Sequence, residues 1–193
     1  MSTRTVLCGV GGQGTVLAAH VLAQVAIDDG LDVKVSEIHG MSQRGGSVTT
    51  VVTFGDHVHS MVCGEGCADV VVSFDMLEAL RNLSLLKPQG HLISSDSVIN
   101  PSSVLTGKQQ LPPDLRERLI EKDAVLVPAD AMAYEAGNPK TSNVVMLGAF
   151  SMALPFKPDI WERVISEHVP PHTLEANLQA FELGRAFAAE HLS

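Results

Sequence analysis

The spacing of apolar and polar positions divides this chain into short strands and amphipathic or buried helices. Residues Thr5 to Val10 form a short apolar run that predicts a buried strand. After a group of glycines, Val16, Leu17, His20, Val21, Gln24 and Val25 recur at helical spacing, and Gly30 is a natural stop. LDVKVSEI, from Leu31, alternates as a second strand does, so the first forty residues read as a βαβ unit. A polar stretch, HGMSQRGGS (39–47), follows. VTTVVTFGDHVHSMV then reads as two strands joined by a turn at Gly55-Asp56. ADVVVSF (68–74) predicts another buried strand. DMLEALRNLSLL predicts a helix with Asp75 as N-cap, stopped by Pro88 and Gly90. GHLISSD is a strand, 97–113 a long loop or edge excursion, DLRERLIEKD a short helix, AVLVPA a strand and DAMAYEAG another short helix. TSNVVMLGAFSMAL is apolar nearly all round and predicts a buried helix. DIWERVISEHV and TLEANLQAFELGRAFAAEHL complete a helical C-terminal end. This order is α/β, a mostly parallel sheet with a β-hairpin excursion and C-terminal helices, and we read residues 1–193 as a single domain.

Composition narrows the classes. The 193 residues are 45% hydrophobic, enough for a full core. The net charge of -9, from 13 basic and 22 acidic residues, argues against a nucleic-acid partner. No apolar run approaches the ~20 residues that span a bilayer, and the N-terminal stretch does not read as a secretory leader. Three cysteines, an odd number, fit a reducing cytoplasm better than a disulfide framework.

Two stretches carry candidate chemistry. GVGGQG (9–14) fits G-x-G-x-x-G with Gly9, Gly11 and Gly14, and Gly12 and Gln13 complete it. Such a turn lets a ligand or backbone approach closely, and the following helix, starting near Gln13, presents unpaired N–H groups that suit a phosphate or carboxylate. Glu37 stands about where a ribose-holding carboxylate belongs, so an independent NAD(P)-binding oxidoreductase is one reading. A glycine turn required only by packing is another. EIHGMSQRGGSV (37–48) gathers Glu37, His39, Ser42, Gln43 and Arg44 and then Gly45, Gly46 and Ser47. Leaving the second strand, it should lie beside the glycine turn, where Arg44 could pair with an anion and His39 could exchange protons.

Other chemistry is missing. Cys63 and Cys67, with only Cys8 besides, cannot build a four-cysteine metal centre, and the cysteines read as small apolar residues. His57 and His59 read as part of a solvated hairpin. There is no G-x-S-x-G elbow, no P-loop lysine and no G-D-G signal for thiamine diphosphate. The inventory is that of one part of an enzyme.

GVGGQGTVLAAHVLA followed by SEIHGMSQRGGSV, with NVVMLGA (143–149) later, resembles the γ subunit or domain of the 2-oxoacid:ferredoxin oxidoreductases. HGMSQRGGSV is most similar to the small (β) subunit of the indolepyruvate enzymes. The resemblance implies a Rossmann-like fold and a subunit that binds no cofactor alone. It implies a large α subunit carrying thiamine diphosphate and iron–sulfur clusters, decarboxylation of a 2-oxoacid to acyl-coenzyme A, and electron delivery to ferredoxin through the complex. Nucleic acid and membrane are not implied partners, and the isolated chain, its interface bare, could pair as a homodimer. Carried over, Gly9, Gly11, Gly12, Gln13 and Gly14 and the loop His39, Gly40, Met41, Ser42, Gln43, Arg44, Gly45, Gly46 and Ser47 would line one surface facing the active site or the coenzyme A entrance. No residue is assigned a catalytic role and none a metal.

Overall fold

Val6, Leu7 and Cys8 are completely buried, and the strand that contains them, β1 (Ser2–Val10), is covered on both faces. The computed structural model describes residues 2–39 and 46–192, with the side chain of His39 outside the described set. Six strands form one sheet in the order β2-β3-β1-β4-β5-β6, with β2 at Asp32–His39, β3 at Ser47–Gly55, β4 at Ala68–Ser73, β5 at Leu86–Ser95 and β6 at Val125–Val127. β3 alone runs against the others. It pairs antiparallel with β1 and with β2, whereas β1, β4, β5 and β6 pair in parallel.

The β1–α1–β2 unit is therefore split. Helix α1 (Thr15–Asp28) leads to β2, but β3 lies between the two strands it connects. The hairpin differs from the sequence expectation. Its arms are β2 and β3, joined through 40–46, and residues 57–62 are not a strand. Both edges of β3 are already taken by β1 and β2, so a strand following Gly55 cannot pair back on β3 as a hairpin. The chain is held there instead by Val58 N–H, which donates to Asp32 Oδ2 at 2.8 Å.

The helix opened by Asp75 is also shorter than expected. α2 (Met76–Asn82) gives way to a 3₁₀ turn at Leu83–Leu85, and β5 starts at Leu86 and runs through Pro88 and Gly90. The register with β4 shifts there, from Ala68 opposite Leu86 to Val70 opposite His91. Proline lacks an N–H for the ladder, and the irregularity absorbs it. Within 97–113 a single turn, α3 (Ser102–Leu105), interrupts the loop.

Two apolar layers sandwich the sheet. α1, α5 (Ala129–Glu135), α6 (Ser142–Ser151), α7 (Pro158–His168) and α8 (Leu174–His191) cover the face that presents Leu7, Val52, Val72 and Ile93. α2 and α4 (Leu115–Ile120) cover Val6, Cys8, Val71 and Leu92 on the other. α6 is buried from Asn143 to Ser151, as its nearly all-apolar sequence predicts. Trp161 packs edge-on to Phe150 and Phe156 and lies 6.1 Å from Phe181 between ring centres. Among the described residues no helix is long and apolar enough to cross a membrane.

α6 and α8 cross at Gly148 and Gly184, where backbone meets backbone. A Cβ on Gly148 would stand 2.0 Å from the carbonyl oxygen of Phe181, and one on Gly184 2.0 Å from that of Val145. Neither neighbour is a side chain that could turn away. Gly148→Ala or Gly184→Ala should each destabilise the fold by about 3 kcal/mol or more, because the helices must part to admit a methyl group. Urea melts of the two variants check this, and an unchanged midpoint for either would contradict the crossing.

Candidate functional site

The turn between β1 and α1 is closed by one side chain. Gln13 Oε1 accepts the Val10 N–H at 2.7 Å, and Gln13 Nε2 donates to the Phe74 carbonyl at 2.7 Å. The first bond folds the turn on itself, and the second fastens it to the end of β4. Gly12 and Gly14 take φ values of 109° and 81°, which glycine adopts without the strain of a side chain. A Cβ at Gly9 would stand 2.9 Å from Gln13 Oε1 and displace the carboxamide. Gly14 is the N-cap of α1, which therefore starts at Thr15 rather than near Gln13. The first turn of α1 holds no acidic residue, so its free N–H groups keep their attraction for an anion.

A cleft of about 630 Å³ opens beyond the carboxyl ends of β1, β4 and β5. β1 sends the chain to one side of the sheet and β4 continues it to the other, so the cleft lies at the topological switch point. Gly12, Gln13 and Gly14 form one wall, Ser97 and Ile99 another, and Lys140 and Asn143 a third. Asn143 reaches down from α6 to the cap of α1, where a Cβ on Gly14 would lie 2.6 Å from Asn143 Nδ2. It is only 9% exposed, and its amide makes no hydrogen bond to the described residues.

Asp75 builds the Ser97–Ile99 wall. Its carboxylate accepts from Leu77 and Glu78 N–H at 2.8 and 3.1 Å, capping α2, and from Ile99 N–H at 2.6 Å. Burial nevertheless pushes the Asp75 carboxyl above the ordinary range, with these donors opposing. Asp96 is raised too, again chiefly by burial, with the Arg116 charge opposing.

The glycine turn and the polar loop meet where the loop rejoins the sheet: Gly11 N–H donates to the Gly46 carbonyl at 2.8 Å. Beside it Ser47 Oγ donates to Glu78 Oε2 at 2.5 Å, and Glu78, buried on α2, also pairs with Arg81. Gly12, Gln13 and Gly14 line the cleft, while Gly9 lies beneath the turn and Gly11 faces the loop. Gly40, Met41, Ser42, Gln43, Arg44 and Gly45 lie outside the described residues, as does the side chain of His39.

Glu37 is not beside the turn. It sits on the edge strand β2, with all of β3 between it and β1, about 10 Å across the sheet. Its carboxylate faces His20 on α1, with Oε1 3.8 Å from Nε2. The inserted strand thus removes the ribose partner that the dinucleotide reading needs, and an independent NAD(P)-binding enzyme is not favoured. The cysteines also divide. Cys8 is a core residue whose thiol burial pushes up to about 12, Cys63 is half-buried and packs against the same apolar cluster, and Cys67 is half-buried beside it on an irregular stretch. His57 and His59 are exposed on that irregular stretch, and no three His, Cys, Asp or Glu residues converge on a metal-sized site among the described residues.

Sequence reasoning missed Asn143, the one amide among the buried residues of α6, and that interruption of the apolar run was its signal. It also missed Glu78, whose spacing from Asp75 is that of a capping pair.

The sequence model for pyruvate ferredoxin/flavodoxin oxidoreductase matches residues 4–187. The chain belongs to that family. It is 41% identical to the indolepyruvate oxidoreductase subunit IorB of Thermococcus kodakarensis, over 97% of this chain and 96% of that one. It is 31% identical to the 2-oxoglutarate synthase subunit KorC of Methanothermobacter thermautotrophicus, with 95% of this chain and 94% of that one covered. The fold recurs in the keto/oxoacid ferredoxin oxidoreductase gamma subunit of Geobacter sulfurreducens, with a TM-score of 0.71 at 24% identity over 97% and 99% of the two chains. It recurs within the 2-oxoglutarate:ferredoxin oxidoreductase of Magnetococcus marinus, at 0.75 and 20% identity, where it spans 98% of this chain and 31% of that larger one. Like these relatives, the chain is a subunit of the 2-oxoacid:ferredoxin oxidoreductase type, and the family resemblance of its two motifs holds.

Two outcomes follow from this geometry. Gln13→Ala leaves the Val10 N–H and the Phe74 carbonyl unpaired and should cost about 2 kcal/mol in a urea melt. A loss below about 0.5 kcal/mol would mean that the carboxamide does not hold the corner. For Asp75 the raised pKa means that the folded state binds the proton more tightly than the unfolded chain. Stability from this group therefore grows as pH falls through the folded value toward the ordinary one. Wild type should gain on Asp75→Asn as pH is lowered from about 7 to about 4, and a gap that stays flat or closes would contradict the shift.

Proposed function

We propose that this chain is the small subunit of a cytoplasmic 2-oxoacid:ferredoxin oxidoreductase acting on an arylpyruvate such as indolepyruvate, and that residues 1–193 are a single γ-type domain within it. The observation that carries this reading is the 41% identity, end to end, to a protein that is itself named as a subunit of an indolepyruvate enzyme. The partner is a large subunit that holds thiamine diphosphate and iron–sulfur clusters, through which electrons reach ferredoxin. Cys8 is sealed in the core, and among the described residues Cys63 and Cys67 have no third His, Cys, Asp or Glu converging with them on a metal-sized site. When bound on the partner, thiamine diphosphate supplies the carbanion chemistry of decarboxylation.

What this chain's own residues fit is an anionic group. The glycine turn that opens α1, the Asn143 amide, which has no hydrogen-bond partner among the described residues, and the Lys140 side chain line one cleft, with Asp130 also on its wall. Coenzyme A carries phosphates of that description. In this reading Gly12 and Gly14 let the phosphate approach the helix end, Asn143 donates to it, and Lys140 neutralises it. Gly46 and Ser47 lie beside the same turn, where the chain re-enters the sheet. Ile38, 65% exposed, extends the apolar part of the same face.

The test is anaerobic co-expression with the large subunit, followed by ferredoxin reduction with an arylpyruvate. Asn143→Asp places a carboxylate where the phosphate would sit. It should raise the KM for coenzyme A at least about tenfold, ~1.4 kcal/mol, with the complex intact and kcat little changed. An unchanged KM contradicts the cleft assignment. A chain that assembles with no larger subunit contradicts the subunit reading itself.

A further inference from the structure

The stretch Cys63-Gly-Glu-Gly-Cys67 lies at the opposite end of the sheet from the cleft. Cys67 immediately precedes β4, and Phe74, just after that strand, lines the cleft, so the 6 residues of β4, about 20 Å, separate the two places. The two sulfur atoms stand 3.3 Å apart, and both residues are half-buried. Gly64 N–H donates to Cys67 Sγ at 2.9 Å. The stretch is anchored at its C-terminal end: Gly66 N–H donates to the Ser84 carbonyl at 2.9 Å, and Cys67 runs directly into the sheet. Gly64 and Gly66 leave the backbone between the sulfurs free to adjust, and neither has a neighbour that a Cβ would strike.

Two thiols in contact at a surface are more than small fillers. Closing the pair to a disulfide requires the sulfurs to approach by little more than 1 Å, to about 2.05 Å. The two are not equivalent. Cys67 Sγ accepts the Gly64 N–H and lies 3.2 Å from the Gly64 carbonyl. Cys63 is pushed up to about 12, first by burial and then by its hydrogen bond to Cys67, and so keeps its proton while its neighbour reacts.

We propose that Cys63 and Cys67 are a dithiol–disulfide couple, a reversible redox-modification site that reacts with low-molecular-weight or protein disulfides. Cys67 thiolate attacks one sulfur of the external disulfide, forms a mixed disulfide and releases one thiolate. Cys63 then gives up its proton to solvent and attacks Cys67 Sγ. The intramolecular S–S bond forms, the mixed disulfide breaks, and the second thiolate leaves. Two cysteine thiols are oxidised and one external disulfide is reduced to two thiols. The product closes residues 63–67 into a ring at the entry to β4.

The experiment is oxidation of the full chain by oxidised glutathione, followed by denaturation, alkylation and peptide mass mapping. In wild type the alkylatable thiols should fall from three to one, Cys8, with a 63–67 link, a loss of about two mass units, and full reversal by dithiothreitol. Cys63→Ser should stop at a mixed disulfide of glutathione on Cys67. Cys67→Ser should react at Cys63 at least about tenfold more slowly. Wild type that stays reduced, or that accumulates glutathione adducts or intermolecular dimers without the 63–67 link, overturns the proposal. Equal rates for the two variants overturn the assignment of Cys67 as the attacking sulfur.

Discussion

One carboxamide holds the corner on which this subunit is built. Gln13 accepts from Val10 and donates to Phe74, and so joins the end of β1 to the end of β4. These are the two parallel strands from which the chain departs in opposite directions across the sheet. Without that brace, the glycines that let the turn form would also let it wander. With it, Gly12 and Gly14 present the start of α1 to the cleft at a fixed height, and Asn143 from α6 closes over the same spot. On the other side Gly11 grips Gly46, so the polar loop starts its return to the sheet from the same corner. Strand end, helix start and the backbone at Gly46 are thus one mechanical unit.

The second constraint is the antiparallel strand β3 between β1 and β2. It carries the fully buried Val52 and the nearly buried Phe54 into the core beneath α1 and α7. Its cost to a dinucleotide site is direct: Glu37 is moved a whole strand outward and takes His20 as neighbour. Its gain is the return of the chain at Gly46 and Ser47, next to the glycine turn. The same glycine pattern that cradles a dinucleotide elsewhere is here set between the cleft and that returning backbone.

How much of this was legible in the sequence depends on the range of the forces involved. Helices α1, α6 and α8 and strand β4 were readable because burial imposes local periods and unbroken apolar runs. The β2–β3 hairpin was misread because VTTVVTFG and HVHSMV look equally strand-like, and only the occupied edges of β3, a non-local fact, decide between them. β5 runs through Pro88 and Gly90, which read locally as breakers, because a register shift against β4 absorbs them. At the candidate site the glycine turn was plain, but Asn143 lies 129 positions beyond Gly14 in the numbering, and no local pattern joins them. The contact between Cys63 and Cys67 needed the turn at Gly66 to be seen.

The central proposal is that a larger subunit covers the turn at 11–14, the start of α1 and the segment 38–47. Hydrogen–deuterium exchange on the isolated chain and on the anaerobically assembled complex tests it most directly. The account requires slowed exchange in the complex at the first turn of α1 and across 38–47, with the Cys63–Cys67 stretch unchanged. Protection confined to other segments, with the glycine turn and the polar loop exchanging as fast in the complex as alone, would contradict it.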